Sequence, residues 1–170
     1  AKLTAQRTEV GEAFEKDIVA RLIELGMPNT RFAVSITPRR QPDATGVDSV
    51  AFLFSANKNA ALQNIAEVAS GGEISRIMLS LKSIIATAKA LPTLIFDEID
   101  TGVSGRIADA MGDIIANLSH SMQIIDITHL PQVAAKRGAH FVVYKADGRS
   151  NIRRLTQAER VDEIATMISG

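Results

Sequence analysis

Leu3, Val10, Phe14, Ile18 and Leu22 recur at intervals of seven and four with charged residues between them, which predicts an amphipathic helix from Leu3 to about Leu25. Gly26 and Pro28 supply its stop, and the apolar stripe suits packing on a globular core as well as the end of a coiled coil. Two strands follow, Arg31 to Thr37 with alternating character and Ser49 to Ser55 rich in Val and Phe. The polar segment between them, with Pro38, Pro42, Asp43 and Gly46, reads as a long loop joining an antiparallel pair.

After Ser70 the period becomes helical: Ile74, Ile77, Met78, Leu81, Ile84, Ile85 and Ala88 lie on one helix. Apolar runs of strand length, Pro92 to Asp97 and Gln123 to Thr128, then flank a helix carrying Ile107, Met111, Ile114, Ile115 and Leu118. Strands without strict alternation, separated by helices, imply a parallel sheet covered on both faces, so the class is α/β. The chain closes with strands near Phe141 to Lys145 and Asn151 to Leu155, joined through Asp147-Gly148, and a helix carrying Val161, Ile164, Ala165 and Ile168.

Composition narrows the function classes. The 170 residues are 46% apolar and 22% charged, the balance of a folding domain rather than a disordered chain. Nineteen basic against nineteen acidic residues leave no net charge, so any contact with nucleic acid or anionic lipid is local. The absence of cysteine excludes disulfides, thiolate metal sites and cysteine nucleophiles, and it fits a reducing, cytoplasmic compartment. No apolar run approaches the roughly 20 residues of a membrane-spanning helix. The N-terminus has neither an initiator Met nor a basic-then-apolar leader, and reads as a cut from a longer protein.

Three places carry candidate chemistry. Ser70-Gly71-Gly72-Glu73 opens a helix, where glycines let backbone amides and the positive dipole end approach an anion. The same four residues also make an ordinary capping box. Asp97-Glu98 ends an apolar strand: one acid can hold a divalent cation while the other serves a reacting water as general base, or the pair simply leads into a turn. His129 ends the next strand, where it can donate to a phosphate oxygen or be structural. In open parallel sheets ligands bind outside the carboxyl ends of strands, so the last two sites are expected to share a crevice. Metal-ligand spacing around His120, His129 and His140 is absent, which argues against zinc.

In combination these features resemble the second half of an ABC-type ATPase head. More narrowly, Val68-Ala69-Ser70-Gly71-Gly72-Glu73-Ile74-Ser75-Arg76, the stretch Leu94 to Gly105, and Thr128-His129-Leu130-Pro131-Gln132-Val133-Ala134 resemble the RecN family of SMC-like ATPases of bacterial DNA repair. The resemblance implies an α/β C-terminal half of an ABC/SMC-type head, a mostly parallel sheet flanked by helices, with residues 1–27 a coiled-coil exit helix and 28–170 the head lobe. It implies ATP and Mg2+ as cofactors. Ser70, Gly71 and Gly72, with Glu73 beside them, would be the signature motif contacting the γ-phosphate held by an opposing head. Asp97 would be the magnesium-binding Walker B acid, Glu98 the catalytic base, Asp100 a D-loop residue at the dimer interface, and His129 the catalytic switch histidine.

The implied partners are the N-terminal half of the same protein, a second head in an ATP-sandwiching homodimer, and DNA, with no membrane; the implied location is cytoplasmic and nucleoid-associated. One part of an ATPase head is missing from the sequence. No GxxxxGK[ST] occurs and no lysine follows a glycine, so the chain lacks the main cradle for the β and γ phosphates and is expected to be inactive alone. Two other readings are an ATPase-like module that binds partners without hydrolysis, and a metal-dependent hydrolase built on Asp97, Glu98 and His129. The pairs Arg39-Arg40 and Arg153-Arg154 are candidate phosphate-backbone contacts, although paired arginines are more often only solvated.

Overall fold

The computed structural model describes residues 2–68, 70–136 and 138–169. Ala69 of the glycine-rich stretch, and Ala1 and Gly170 at the outer bounds of the two expected domains, lie outside them. The chain divides into two compact units, residues 1–89 and 90–170, each with its own fold.

The first unit is built on α1 (Lys2–Glu24), the hairpin β1 (Arg31–Asp43) and β2 (Gly46–Ser55), the short β3 (Gln63–Asn64) and α2 (Ile65–Val68), and α3 (Gly71–Ala88). Helix α1 ends in a Schellman motif: Met27 N–H donates to Leu22 O at 2.9 Å and Gly26 N–H to Ile23 O at 3.0 Å. Gly26 takes φ +77°, a conformation that glycine adopts without a Cβ penalty. Leu22 and Met27, the residues this turn brings together, belong to a core with Ile18, Phe32, Phe54 and Ile77. Each such fully buried side chain contributes about 1.5–3 kcal/mol relative to exposure.

The C-terminal part of the α1 stripe is therefore packed against its own unit, whereas Leu3 and Val10 remain exposed. Polar ties complete the seat. The Glu15 carboxylate accepts from Val34 N–H at 2.7 Å, satisfying an outward-facing donor of edge strand β1. The buried Asp48 accepts from Arg7 Nη1 at 2.9 Å and from the Thr4 hydroxyl at 3.1 Å.

The expected long loop between the two strands is not a loop. β1 runs on to Asp43, β2 starts at Gly46, and only Ala44 and Thr45 make the turn. Prolines misled the reading because β1 is an edge strand, where a missing N–H breaks no ladder. The register shifts between Pro38 and Asp43, and the tip is fully exposed. Asp43 Oδ1 accepts from Thr45 N–H at 2.7 Å, the local bond that lets aspartate initiate a turn.

The second unit comprises β4 (Thr93–Asp97), α4 (Gly105–Leu118), β5 (Gln123–Ile127), α5 (Pro131–Ala134), β6 (Phe141–Ala146), β7 (Arg149–Arg154) and α6 (Gln157–Ser169). Phe96, Ala108, Met111, Ile115, Val133 and Leu155 are buried within it. β4 and β5 pair in parallel from Thr93 opposite Gln123 to Asp97 opposite Ile127. β6 and β7 form an antiparallel hairpin around Asp147 and Gly148, both at positive φ, as a tight primed turn requires.

The fold is α/β, and among the described residues parallel pairing is confined to β4 and β5. The expectation of a sheet covered on both faces also fails here: Ile95, Ile125 and Ile127 are 54%, 45% and 51% exposed. A continuous apolar run records burial in the complete sheet, not which neighbours supply it. Among the described residues no helix is long and apolar enough to cross a membrane.

Candidate nucleotide-facing site

Ser70 to Glu73 lie in the first unit, at the start of α3. Ser70 is the N-cap, and Glu73 Oε2 accepts from Ser70 N–H at 2.8 Å in a capping box, so the bland reading of this motif is realised. It does not explain the glycine that follows. A Cβ added at Gly71 would meet no atom within 4 Å, and Gly71 is not at positive φ. Glycine in a helix costs about 1 kcal/mol relative to alanine, and among the described residues neither packing nor backbone geometry demands it here. Two hydrogen bonds from one side chain brace the helix below the motif: Arg76 Nε donates to Gly72 O at 2.9 Å and Nη1 to Leu25 O at 3.2 Å, just beyond the end of α1. Arg76 was not among the residues singled out from the sequence; its place inside a conspicuous motif was the available signal.

Asp97, Glu98, Asp100 and His129 lie in the second unit, at one end of the β4–β5 pair. Asp97 is the last residue of β4 and is exposed. Glu98 departs from the strand with φ +46° while its N–H still donates to Ile127 O at 3.0 Å. A left-handed glutamate stores about 1–3 kcal/mol of strain and turns its side chain out of the alternation that Asp97 obeys. The turn is closed by Thr101, whose hydroxyl donates to Glu98 O at 2.9 Å, and by Val103 N–H to Asp100 O at 3.2 Å.

Asp100 faces inward and is only 2% exposed. Its Oδ2 accepts a hydrogen bond from the Thr128 hydroxyl, and Thr128 Oγ1 in turn accepts from Leu130 N–H at 3.0 Å. His129 Nδ1 stands 3.7 Å from Asp100 Oδ1, with the histidine side chain 63% exposed. The structure thus brings together Asp100, Thr128 and His129 at the end of β5, beside the Asp97-Glu98 corner of β4.

Asp126 belongs to the same cluster. Burial first, and then the charge of Asp100, push its carboxyl up to about 6. Its Oδ1 and that of Asp100 are both buried without a hydrogen-bond partner. An acid within the run Ile124-Ile125-Asp126-Ile127 was the sequence signal for it, since carboxylates are rarely buried unless something answers them.

Among the described residues no three or more His, Cys, Asp or Glu side chains form a metal-holding group. The exposed Asp97 carboxylate suits a magnesium ion that keeps most of its water and takes oxygens from a bound phosphate, not a cation caged by protein. Among the described residues, no such group supports the reading of a metal-dependent hydrolase. The basic pairs are partly engaged: Arg39 pairs with Asp43, and Arg153 Nη1 with Glu159 Oε1 at 2.7 Å.

No protein-family profile matches the chain. Curated relatives do. The DNA repair protein RecN of Mycobacterium leprae is 38% identical over 190 residues, covering 99% of this chain and 32% of that protein. RecN of Halalkalibacterium halodurans is 41% identical over 181 residues, covering 100% and 32% respectively. Among solved structures, the Smc head domain with a coiled coil and joint from Pyrococcus yayanosii superposes with a TM-score of 0.73 at 19% identity, over 91% of this chain and 29% of that one. A chain from work on ATP-driven dimerisation and DNA-stimulated activation of SMC ATPases gives 0.69 at 20% identity over 98% of both. The chain therefore has the fold of an SMC head segment and, spanning about a third of the curated relatives it matches, resembles from end to end the C-terminal part of a RecN head.

Proposed function

We propose that this chain is the C-terminal part of the head of a RecN-like SMC-family ATPase that acts in DNA double-strand break repair and recombination. The observation that carries the reading is the meeting of Asp97-Glu98 and Thr128-His129 at one end of two adjacent parallel strands, tied by the Glu98 N–H to Ile127 O bond. Carboxyl ends of parallel strands are where open α/β sheets bind ligands. The unexplained glycine at position 71 supports the same reading, because a close-approaching phosphate would need the space that a Cβ fills.

In this proposal the missing phosphate cradle comes from the N-terminal half of the same protein, and two heads sandwich ATP between them. Asp97 would hold Mg2+, which would neutralise charge developing on the phosphates. Glu98, turned out of the strand, accepts a proton from the attacking water. His129 donates to the phosphoryl oxygens from the neighbouring strand end. Ser70 and the amides of Gly71 and Gly72, with Glu73 bracing the turn, close over the nucleotide of the opposing head, and the turn carrying Asp100 lines the junction. Such a site works by positioning and charge stabilisation. DNA is bound by the complete protein, in a cytoplasmic, nucleoid-associated setting.

The test is Glu98→Gln in the complete protein. Hydrolysis should fall by roughly 10² to 10⁴, the range for loss of a general base, while nucleotide binding persists and nucleotide-bound dimers accumulate. Unchanged turnover would show that Glu98 is not the base.

A further inference from the structure

The last carbonyl of the α1 turn is answered from the glycine-rich helix. Leu25 is 0% exposed, so its C=O is out of water, and the donors of the Schellman turn go elsewhere: Gly26 N–H to Ile23 O and Met27 N–H to Leu22 O. Among the described residues no backbone N–H reaches Leu25 O. A buried carbonyl left without a donor is unfavourable. Arg76 Nη1 supplies that donor at 3.2 Å, and the dipole of α1 favours a cation at its C-terminal end. The same guanidinium reaches the other way, with Nε on Gly72 O at 2.9 Å, inside the first turn of α3. The neighbouring Ile77 packs in the core with Ile18, Leu22 and Met27, so apolar contact already seats α3 on α1; Arg76 adds a polar tie that ends on the turn itself.

We infer that Arg76 is a positioning residue: by holding Gly72 O and Leu25 O with one guanidinium, it joins the Ser70–Glu73 turn to the end of α1, so that displacing either displaces the other. Arginine suits this role and lysine does not, because two nitrogens of one rigid plane meet two carbonyls at once, whereas an ammonium is a single point on a flexible stem. The consequence for head pairing rests on the phosphate-facing reading of the turn given above; the tie between the two elements does not.

The first test is a double-mutant cycle in the complete protein, read by amide hydrogen exchange over Ser70 to Ser75. Gly26→Ala puts a Cβ where φ is +77° and so disturbs the turn that follows Leu25, while Arg76→Met removes the tie from the other side. Each alone should speed exchange of this segment about tenfold, the low end for losing a hydrogen bond from a charged donor, and the double variant should be no faster than the faster single one. Effects that add would mean that α1 acts through the core around Ile77, and no effect of Gly26→Ala would mean that the two elements move independently; either overturns the inference. The second test is nucleotide-dependent head pairing. Arg76→Met should weaken it about tenfold with ATP binding to a single head unchanged, and Arg76→Lys should fall as far. Full rescue by lysine would reduce Arg76 to a charge at a helix end and overturn the inference. Should Ser70→Arg leave pairing intact, the phosphate-facing reading falls, and the exchange cycle still decides the role of Arg76.

Discussion

Glu98 donates its backbone N–H to Ile127 O at 3.0 Å, although its own backbone has already left the strand with φ +46°. The last rung of the parallel pair thus fixes the acid from β4 two residues away from His129 on β5. The strain at Glu98 is held by that rung and by the Thr101 bonds to Glu98 O.

Relieving this strain should separate stability from function. Glu98→Gly is expected to raise the free energy of unfolding by up to about 1 kcal/mol, because glycine adopts the left-handed region without a Cβ clash. The same variant should abolish turnover in the complete protein. Denaturant unfolding checks the first half; a loss of stability would show that the turn is not strained.

The half-buried acid at 126 makes a pH prediction. Its folded-state pKa, about 6, lies above the ordinary 3.8, so its contribution is intact below the ordinary value and is lost as pH rises through about 6. Asp126→Asn removes this loss. The stability gained by the variant should therefore grow between about pH 4 and pH 6 and level off above about pH 7. Thermal unfolding across that range tests it, and a gap independent of pH would contradict the assignment.

Gly112 is required by packing rather than by backbone conformation. A Cβ there would lie 2.9 Å from Lys136 Cε and 3.0 Å from Lys136 Cγ, with Gln132 O at 3.4 Å. Lys136 is held between Asp109 and Asp113, at 2.6 and 2.7 Å, which raises its pKa above the usual lysine range and leaves the stem little room to move. Gly112→Val should cost about 1–3 kcal/mol through overpacking where α4 meets α5. Unfolding within about 0.5 kcal/mol of the parent would mean that the contact gives way freely.

The 170-residue chain by itself is expected to bind ATP weakly and not to hydrolyse it, since it contains no phosphate-cradling loop. Turnover comparable to that of the complete protein would refute this.

Periodicity placed the principal helices and strands correctly where one face is buried by the chain itself, as with Ile77 and Phe96. It failed where neighbours decide the outcome. Pro38 and Pro42 suggested a loop because the sequence does not say that β1 is an edge, and the runs around Ile95 and Ile125 suggested a covered sheet although that face is open. In the candidate site, Asp97, Glu98 and His129 could be picked out because they end strands. Asp126 left only the signal of an acid inside an apolar run, and Thr128 left none, because its importance comes from Asp100 folding inward, a consequence of the turn at Glu98 that no spacing encodes.

Mixing Ser70→Arg and Glu98→Gln forms of the complete protein tests most directly whether one site is built from two heads. Each variant alone should be nearly inert, while a mixed dimer contains one site with an intact Ser70 facing an intact Glu98. We predict that ATP hydrolysis returns in part on mixing. A mixture as inactive as its components would contradict the composite site.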